Sequence, residues 1–178
     1  VNLSASEFRQ LDLIEFIESA LIDSDIEPAC LRLELTESIV LQDVQATQQM
    51  LGALRALGVR LAIDDFGKGY SALHYLTRLP VDTLKIDRAF VAGSSDGARG
   101  AAILEAISTL AHALDMQVTA EGIETPEQLQ RVISSGCDLG QGYYFAKPLP
   151  EAALRTLFNH SPLGMPVRDD TVTQTFAG

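Results

Sequence analysis

The chain has 178 residues, which is enough to bury the core of one domain, and 47% of them are hydrophobic. Its formal net charge of −11 at pH 7 argues against a protein that binds long nucleic acid through a basic face. No apolar run approaches the roughly 20 residues that span a bilayer, and no signal-peptide pattern opens the chain. Cys30 and Cys137 form no disulfide framework, so we expect two buried thiols and a cytoplasmic location.

The amino-terminal part of the chain alternates short apolar runs with helical patterns. Residues 1–3, 31–35 and 59–63 have the character of strands. Between the first two, Ser4 and Glu7 predict a capping box at the start of a helix. The apolar face of that helix comprises Phe8, Leu11, Ile14, Ile17 and Leu21. A second helix is predicted over residues 38–57, and Gly58 would end it.

The rest of the chain continues the alternation. A short helix is predicted over residues 71–78, followed by strands over 83–86 and 117–120 and a short strand within 138–144. Residues 93–100 look like a loop before a helix whose face comprises Ile103, Leu104, Ile107, Leu110, Ala111 and Leu114. Thr125, Pro126 and Gln128 predict a capped helix start. A last helix over 150–158 completes a domain over 1–158, and we expect residues 159–178 to form a polar tail.

Six strands that alternate with helices, without a hairpin signal, predict a parallel α/β fold. Polar residues follow or end these strands at Asn2, Glu34, Asp64 with Asp65, Lys85, Glu121 and Gln141. Their spacing is close to one βα unit, about thirty residues. In a barrel these positions converge at one rim, whereas in an open sheet they would spread along a line. Convergence on one site favours the barrel.

The candidate ligands are carboxylate and amide oxygens, which favour Mg²⁺ or Mn²⁺ over Zn²⁺. Adjacent Asp64 and Asp65 suit a pair of ions with one bridging carboxylate, the usual arrangement for phosphoester hydrolysis. Lys85 within a strand would be costly unless it faces this acidic cluster. There it could orient the attacking water or stabilise charge in the transition state.

Each of these positions also has a purely structural explanation. The alternatives are a solvated strand position for Glu34, an Asx-type turn for Asp64 and Asp65, an ion pair for Lys85 and Asp87, and glycine-turn chemistry for Gln141. Their joint occurrence at βα spacing favours a functional site. The aromatic run at residues 143–145 fits core packing better than base stacking, although one ring could stack on a purine.

Several stretches form a specific set of motifs in a fixed order. They are N-L-S at 2–4, E-L-T-E-S at 34–38, I-D-D-F-G at 63–67 with G-Y-S at 69–71, L-K-I-D at 84–87, A-E-G-I-E at 120–124, and Q-G-Y at 141–143 with K-P at 147–148. Together they resemble the EAL domain, a family of cyclic di-GMP phosphodiesterases. The resemblance runs from the first residue to about Leu157. It implies a TIM-like (β/α)8 barrel, present here as about six of the eight units, that hydrolyses cyclic di-GMP to linear pGpG with two Mg²⁺ or Mn²⁺ ions.

The resemblance also implies roles for individual residues. The metal ligands would be Asn2, Glu34 and Asp64 for one ion, and Asp64, Asp65 and Glu121 for the other. The catalytic residues would be Lys85, which holds the hydrolytic water, with Glu121 and Asp65. The substrate and water site would include Gln141 and Tyr143, and supporting residues would be Glu37, Asp87 and Glu124. In the family, Glu37 braces a loop that contributes to homodimerisation.

Two departures from the family pattern shape our expectations. The Glu-Ala-Leu motif, which supplies a further metal ligand, is absent, and Lys68 replaces a small residue or Thr. Because a full barrel needs about 250 residues, we expect about seventy more before Val1. The parent would be a longer bacterial signalling protein with sensory or cyclase domains, which could be membrane-anchored. We expect these 178 residues alone to be poorly active and to self-associate, because an open barrel exposes strand edges.

Two alternative functions stay open at this point. One is a non-catalytic cyclic di-GMP receptor, although the retained ligands favour catalysis. The other is a different metal-dependent barrel hydrolase.

Overall fold

The computed structural model describes residues 1–67, 73–92 and 97–160. The chain divides into two compact units, and each is described by itself below. The first comprises Val1–Lys85 with Ala111–Met116, and the second comprises Ile86–Leu110 with Gln117–Gly178. Among the described residues, no helix combines the length and the hydrophobicity needed to cross a membrane.

The strands are β1 (Asn2–Leu3), β2 (Arg32–Thr36), β3 (Arg60–Phe66), β4 (Thr83–Ile86), β5 (Gln117–Ala120) and β6 (Leu139–Gly140). They form one six-stranded sheet in chain order. The pairing is parallel between β1 and β2, between β2 and β3, and between β5 and β6. The predicted parallel α/β fold is therefore confirmed, with strands added in the order that successive βα units of a TIM-type barrel follow. The short strand predicted within residues 138–144 is confirmed as β6.

Helices connect these strands in both units. The first unit contains α1 (Ala5–Phe8), α2 (Leu13–Ser24), α3 (Glu37–Gln42), α4 (Val44–Ala56) and α5 (Leu73–Leu76), with a 3₁₀ turn at Pro28–Cys30. The second contains α6 (Arg88–Ala92), α8 (Pro126–Ser134) and α9 (Glu151–His160). Helix α7 (Gly97–Ala113) crosses the division. The apolar side chains of β2 and β3 supply much of the first core, because Leu33, Leu35, Leu61, Ala62 and Ile63 are almost fully buried.

The first predicted helix is broken in two. The capping box of Ser4 and Glu7 is present, but it starts a helix of only four residues. Helix α2 then buries Leu13, Ile17 and Leu21, which lie four residues apart along one face. Leu11 falls in the break and is fully exposed, so its predicted place on the buried face is wrong.

The second predicted helix is also two helices. Asp43 has an extended backbone (φ −149°), and its side chain accepts a hydrogen bond from the Ala46 N–H at 3.0 Å. This N-cap starts α4 and ends the helical run that begins at Glu37. The predicted loop over 93–100 is wrong at its end, because α7 begins at Gly97. Lys68 and residues 161–178 of the predicted tail lie outside the described residues.

Two aspartates fix the amino ends of strands by reciprocal hydrogen bonds. The Asp82 carboxylate accepts from the Leu61 N–H at 2.9 Å, and the Asp82 N–H donates to the Leu61 carbonyl at 2.9 Å. In the same way, the Asp138 carboxylate accepts from the Val118 N–H at 2.7 Å, and the Asp138 N–H donates to the Val118 carbonyl at 3.0 Å. Both aspartates directly precede a strand and so lie at the end opposite to the candidate ligands. In parallel barrels this end contributes stability rather than catalysis.

The Asp82→Ala variant should lower the free energy of unfolding by about 1–3 kcal/mol, because the Leu61 N–H loses its side-chain acceptor. Asp82→Asn should lose less, because its amide oxygen can still accept. Urea unfolding measures both changes. Asp12 provides the control, since it precedes α2 without a side-chain cap hydrogen bond. Equal destabilisation by Asp12→Ala and Asp82→Ala would contradict the assignment.

The two cysteines differ in their surroundings. Cys30 ends the 3₁₀ turn and is exposed, so the prediction that it is buried is wrong. Cys137 is partly buried, and its Sγ lies 3.4 Å from the Ser108 Oγ. Burial raises the pKa of the Cys137 thiol, the Ser108 contact opposes this shift, and the negative charge of Asp138 adds to it.

Cys30 should therefore react with a thiol reagent before Cys137 at pH 8 in the native protein. Since the thiolate is the reactive form, a raised pKa leaves less of it at any pH below that pKa. The reaction of Cys137 should accelerate as the pH rises, and the two rates should converge in urea. Stopped-flow titration of wild type, Cys30→Ser and Cys137→Ser measures each rate. A faster Cys137 in the native Cys30→Ser variant would refute the prediction.

Candidate metal centre

In the first unit, strand register aligns the predicted oxygen ligands. Asn2 of β1 pairs with Glu34 of β2, and Thr36 of β2 pairs with Asp64 of β3. Glu34 alternates with Leu33 and Leu35, which are 2% and 0% exposed, so its side chain points to the opposite face of the sheet. Glu34 is partly buried, whereas Asn2 is exposed.

Lys85 brings two of these carboxylates together. Its Nζ donates a hydrogen bond to Glu34 Oε2 at 2.5 Å and lies 3.4 Å from Asp64 Oδ1. The lysine side chain is only 7% exposed. An ammonium that has lost most of its hydration needs anionic partners to stay charged. The contacts of Lys85 therefore show an acidic environment at the carboxyl ends of β2 and β3.

The end of β3 turns sharply between its two aspartates. Asp65 has a left-handed backbone (φ 55°), and its N–H donates to Asp64 Oδ1 at 2.8 Å. Aspartate tolerates this conformation better than most residues other than glycine. Carboxylate oxygens of Asp64 and Asp65 come within 4.8 Å of each other. The local hydrogen bond expected of an Asx-type turn is thus present, but the two carboxylates still lie side by side.

The donor set fits a hard divalent cation. Glu34, Asp64 and Asp65 are all partly buried, and Lys85 supplies one positive charge against three negative ones. Such an excess of negative charge in a partly desolvated site favours a bound cation. All the donors are oxygens, which suits Mg²⁺ or Mn²⁺. The acidic cluster could therefore bind a metal ion.

Glu37 supports the turn that follows Asp65. It starts α3, is 4% exposed, and its Oε2 accepts from the Gly67 N–H at 3.1 Å. Gly67 has a φ of 98°, which glycine adopts without strain. This contact ties the start of a helix to the end of β3, 30 residues further along the chain.

In the second unit, Glu121 and Asp87 follow the ends of β5 and β4. The Glu121 N–H donates to the Ile86 carbonyl at 3.1 Å, and its side chain is partly buried. Asp87 is 3% exposed, and its Oδ1 accepts from the Ala89 N–H at 2.9 Å, which holds the turn into α6. A Cβ at Gly122 would lie 2.3 Å from the Arg88 Cβ, so only glycine fits next to Glu121.

Glu124 lies two residues before α8. Its side chain is exposed, and its N–H donates to Gln128 Oε1 at 2.6 Å, within the capping box that begins α8. The predicted capping box of Thr125 and Gln128 is present. The described contacts of Glu124 therefore join it to a helix start.

Backbone hydrogen bonds join the turn after β6 to the end of β5 and the segment that follows it. The Gln141 N–H donates to Ala120, the Ile123 N–H donates to the Gln141 carbonyl, and the Tyr144 N–H donates to the Ile123 carbonyl, at 2.9–3.0 Å. A Cβ at Gly142 would lie 2.1 Å from the Ile123 carbonyl oxygen, so the close approach requires glycine. Gln141 is exposed on this turn.

The sequence profile of the EAL domain matches residues 1–148, so this parallel α/β chain with its acidic strand ends belongs to the EAL domain family. Over 154 residues it is 44% identical to the cyclic di-GMP phosphodiesterase NbdA of Pseudomonas aeruginosa, covering 86% of this chain and 20% of NbdA. The chain spans about a fifth of the length of the curated relatives that it matches.

Solved structures of related proteins are also similar to this chain. A phosphodiesterase structure of PaMucR in complex with c-di-GMP superposes with a TM-score of 0.82 at 42% identity, over 86% of this chain and 62% of the other. BlrP1 of Klebsiella pneumoniae, solved with cy-diGMP and either manganese or calcium, superposes with a TM-score of 0.77 at 34% identity, over 83% and 38% of the two chains.

Proposed function

We propose that this chain forms part of a metal-dependent phosphodiesterase that hydrolyses cyclic di-GMP to linear pGpG. The observation that carries the proposal is the buried ammonium of Lys85 between Glu34 and Asp64, with Asp65 beside them. Membership of the EAL domain family and the similarity to NbdA support the substrate and the reaction.

The proposed ligands follow the strand ends. Asn2, Glu34 and Asp64 would hold one Mg²⁺ or Mn²⁺ ion, and Asp64, Asp65 and Glu121 would hold a second. Two such ions supply charge neutralisation of the phosphodiester and a nucleophilic water at neutral pH. The oxygen-only donor set and the adjacency of Asp64 and Asp65 support this assignment.

The residues of the chain would then orient the reactants. Lys85, a pure donor held in place by Glu34 and Asp64, would donate to the attacking water or to a developing negative charge on oxygen. Glu37 would keep the turn after Asp65 in place through Gly67. Gln141 would offer its amide to water or substrate, and Glu121 would stay positioned by the backbone contact to β4.

We also propose that the chain acts as one domain of a longer, self-associating protein in the cytoplasm. Its similarity to about a fifth of each curated relative supports the first point. Both cysteines are free thiols, as is usual in a reducing compartment. Analytical ultracentrifugation tests self-association directly.

Turnover of cyclic di-GMP tests the proposal, with the 178-residue chain and the longer natural protein measured in parallel. We expect the longer protein to form pGpG with Mn²⁺ or Mg²⁺ and to stop with EDTA, because the bound ions would supply the nucleophilic water at neutral pH. Chromatography of the products measures both effects. Cyclic di-GMP binding without turnover would instead indicate a receptor, and faster hydrolysis of unrelated phosphoesters would indicate another hydrolase.

The Asp65→Asn variant should lower kcat/KM by about a hundredfold or more, since even residues that only support metal ligands commonly contribute 10–100-fold. It should also weaken Mn²⁺ binding, as measured by electron paramagnetic resonance. Asp115 gives a matched control because it has the same left-handed backbone (φ 59°) and is exposed. Asparagine tolerates this conformation, so both variants should fold. If Asp115→Asn reduced Mn²⁺ binding as much as Asp65→Asn does, Asp65 would not be a ligand.

A further inference from the structure

Tyr143 is an exposed ring beside two aromatic residues that pack together. Tyr144 and Phe145 are partly buried and meet edge to face, with ring centroids 5.4 Å apart and planes at 82°. Tyr143 is 60% exposed. Core packing therefore accounts for the second and third rings of the run, and it does not account for the first. A large exposed ring with a polar tip is well suited to binding.

The backbone beneath this ring is held firmly. Tyr143 lies between Gln141 and Tyr144, both of which hydrogen-bond to the segment after β5. Gly142 lies against the Ile123 backbone, where no side chain fits. The turn therefore presents Tyr143 in a fixed place, close in sequence to the exposed amide of Gln141. A rigid support lowers the entropy cost of binding.

Lys147 lies over the same ring. Its Nζ is 5.7 Å from the centroid of Tyr143, near the outer limit of about 6 Å for a cation–π contact. The lysine is exposed, so water competes for its ammonium. The contact is weak enough for the ammonium to move to a stronger acceptor that lies on or beside the ring. Lys147 is one of three lysines in an acidic chain. In the sequence it is marked only by the K-P motif at residues 147–148.

We propose that Tyr143 and Lys147 form a purine-recognition element that selects guanine, an inference that rests on the proposed function. Tyr143 would stack on a base, and the Lys147 ammonium would donate to O6 and N7 of guanine. A lysine has only donors, and guanine presents two acceptors on this edge. Adenine places an amino donor next to N7, so the same lysine would face a donor there. Lys147 is thus a specificity-determining residue.

The test compares affinity and turnover for cyclic di-GMP and cyclic di-AMP in Mn²⁺, with calorimetry and product chromatography. Lys147→Met should raise the dissociation constant and KM for cyclic di-GMP about tenfold, with kcat nearly unchanged, because a pocket contact to a base acts on binding. The values for cyclic di-AMP should stay within about twofold. Lys147→Arg should keep the guanine preference. Tyr143→Ala should weaken the binding of both dinucleotides because the stacking ring is lost, and Tyr143→Phe, which keeps a ring, should bind both more tightly than Tyr143→Ala does.

Arg155→Met is the matched control, because it also removes one exposed positive charge from the second unit. An equal effect of Lys147→Met and Arg155→Met, or an equal loss for both dinucleotides, would overturn the guanine assignment. Normal wild-type turnover with an unaffected Lys147→Met variant would overturn this inference and leave the proposed function intact. A wild-type protein that neither binds nor hydrolyses cyclic di-GMP would overturn both.

Discussion

The first unit depends on the ion pairs that the buried ammonium of Lys85 forms with Glu34 and Asp64. The ammonium joins β4 to carboxylates on β2 and β3, across 51 residues of sequence in the case of Glu34. Removing one partner of a buried ion pair commonly costs about 3–5 kcal/mol, because the other charge stays unpaired. Replacing a whole pair with apolar residues is often neutral or stabilising. Stability alone therefore does not explain why charged residues occupy these three strands, whereas the proposed metal site would explain it.

Acidic residues at the two ends of the strands differ in what their carboxylates do. Asp82 and Asp138, which precede strands, have their carboxylates engaged by backbone N–H groups of neighbouring strands. Asp64 and Asp65, which end β3, lie side by side near an ammonium, and one backbone N–H serves Asp64. Neighbouring carboxylates repel each other, and a bound cation relieves that repulsion. The same residue type is structural at one end of the sheet and fits a metal site at the other.

The sequence predicted the strands well because each strand signal is short and local. The capping boxes at Ser4 and Thr125 were readable for the same reason, since all their atoms lie within four residues. Helix breaks were missed because apolar periodicity continues across them. Leu11 keeps the helical spacing although it lies between α1 and α2, and Asp43 ends one helix by capping the next. Cys30 shows the same limit, because no local pattern reveals that its turn is exposed.

The spacing of polar strand ends indicated which residues share a face, but it could not show which atoms meet. The hydrogen bond from Lys85 to Glu34 depends on strand register, and the contact of Lys147 with Tyr143 depends on the path of the turn after β6. That path depends on Gly142, where a single Cβ would collide with the Ile123 backbone. Because the turn is bonded to the segment that carries Glu121, a side chain at Gly142 would displace a candidate metal ligand and the proposed purine-recognition element together. The close backbone contact at Gly142 therefore fixes the position of this loop and of its side chains. A loop without such contacts would hold the same side chains less precisely.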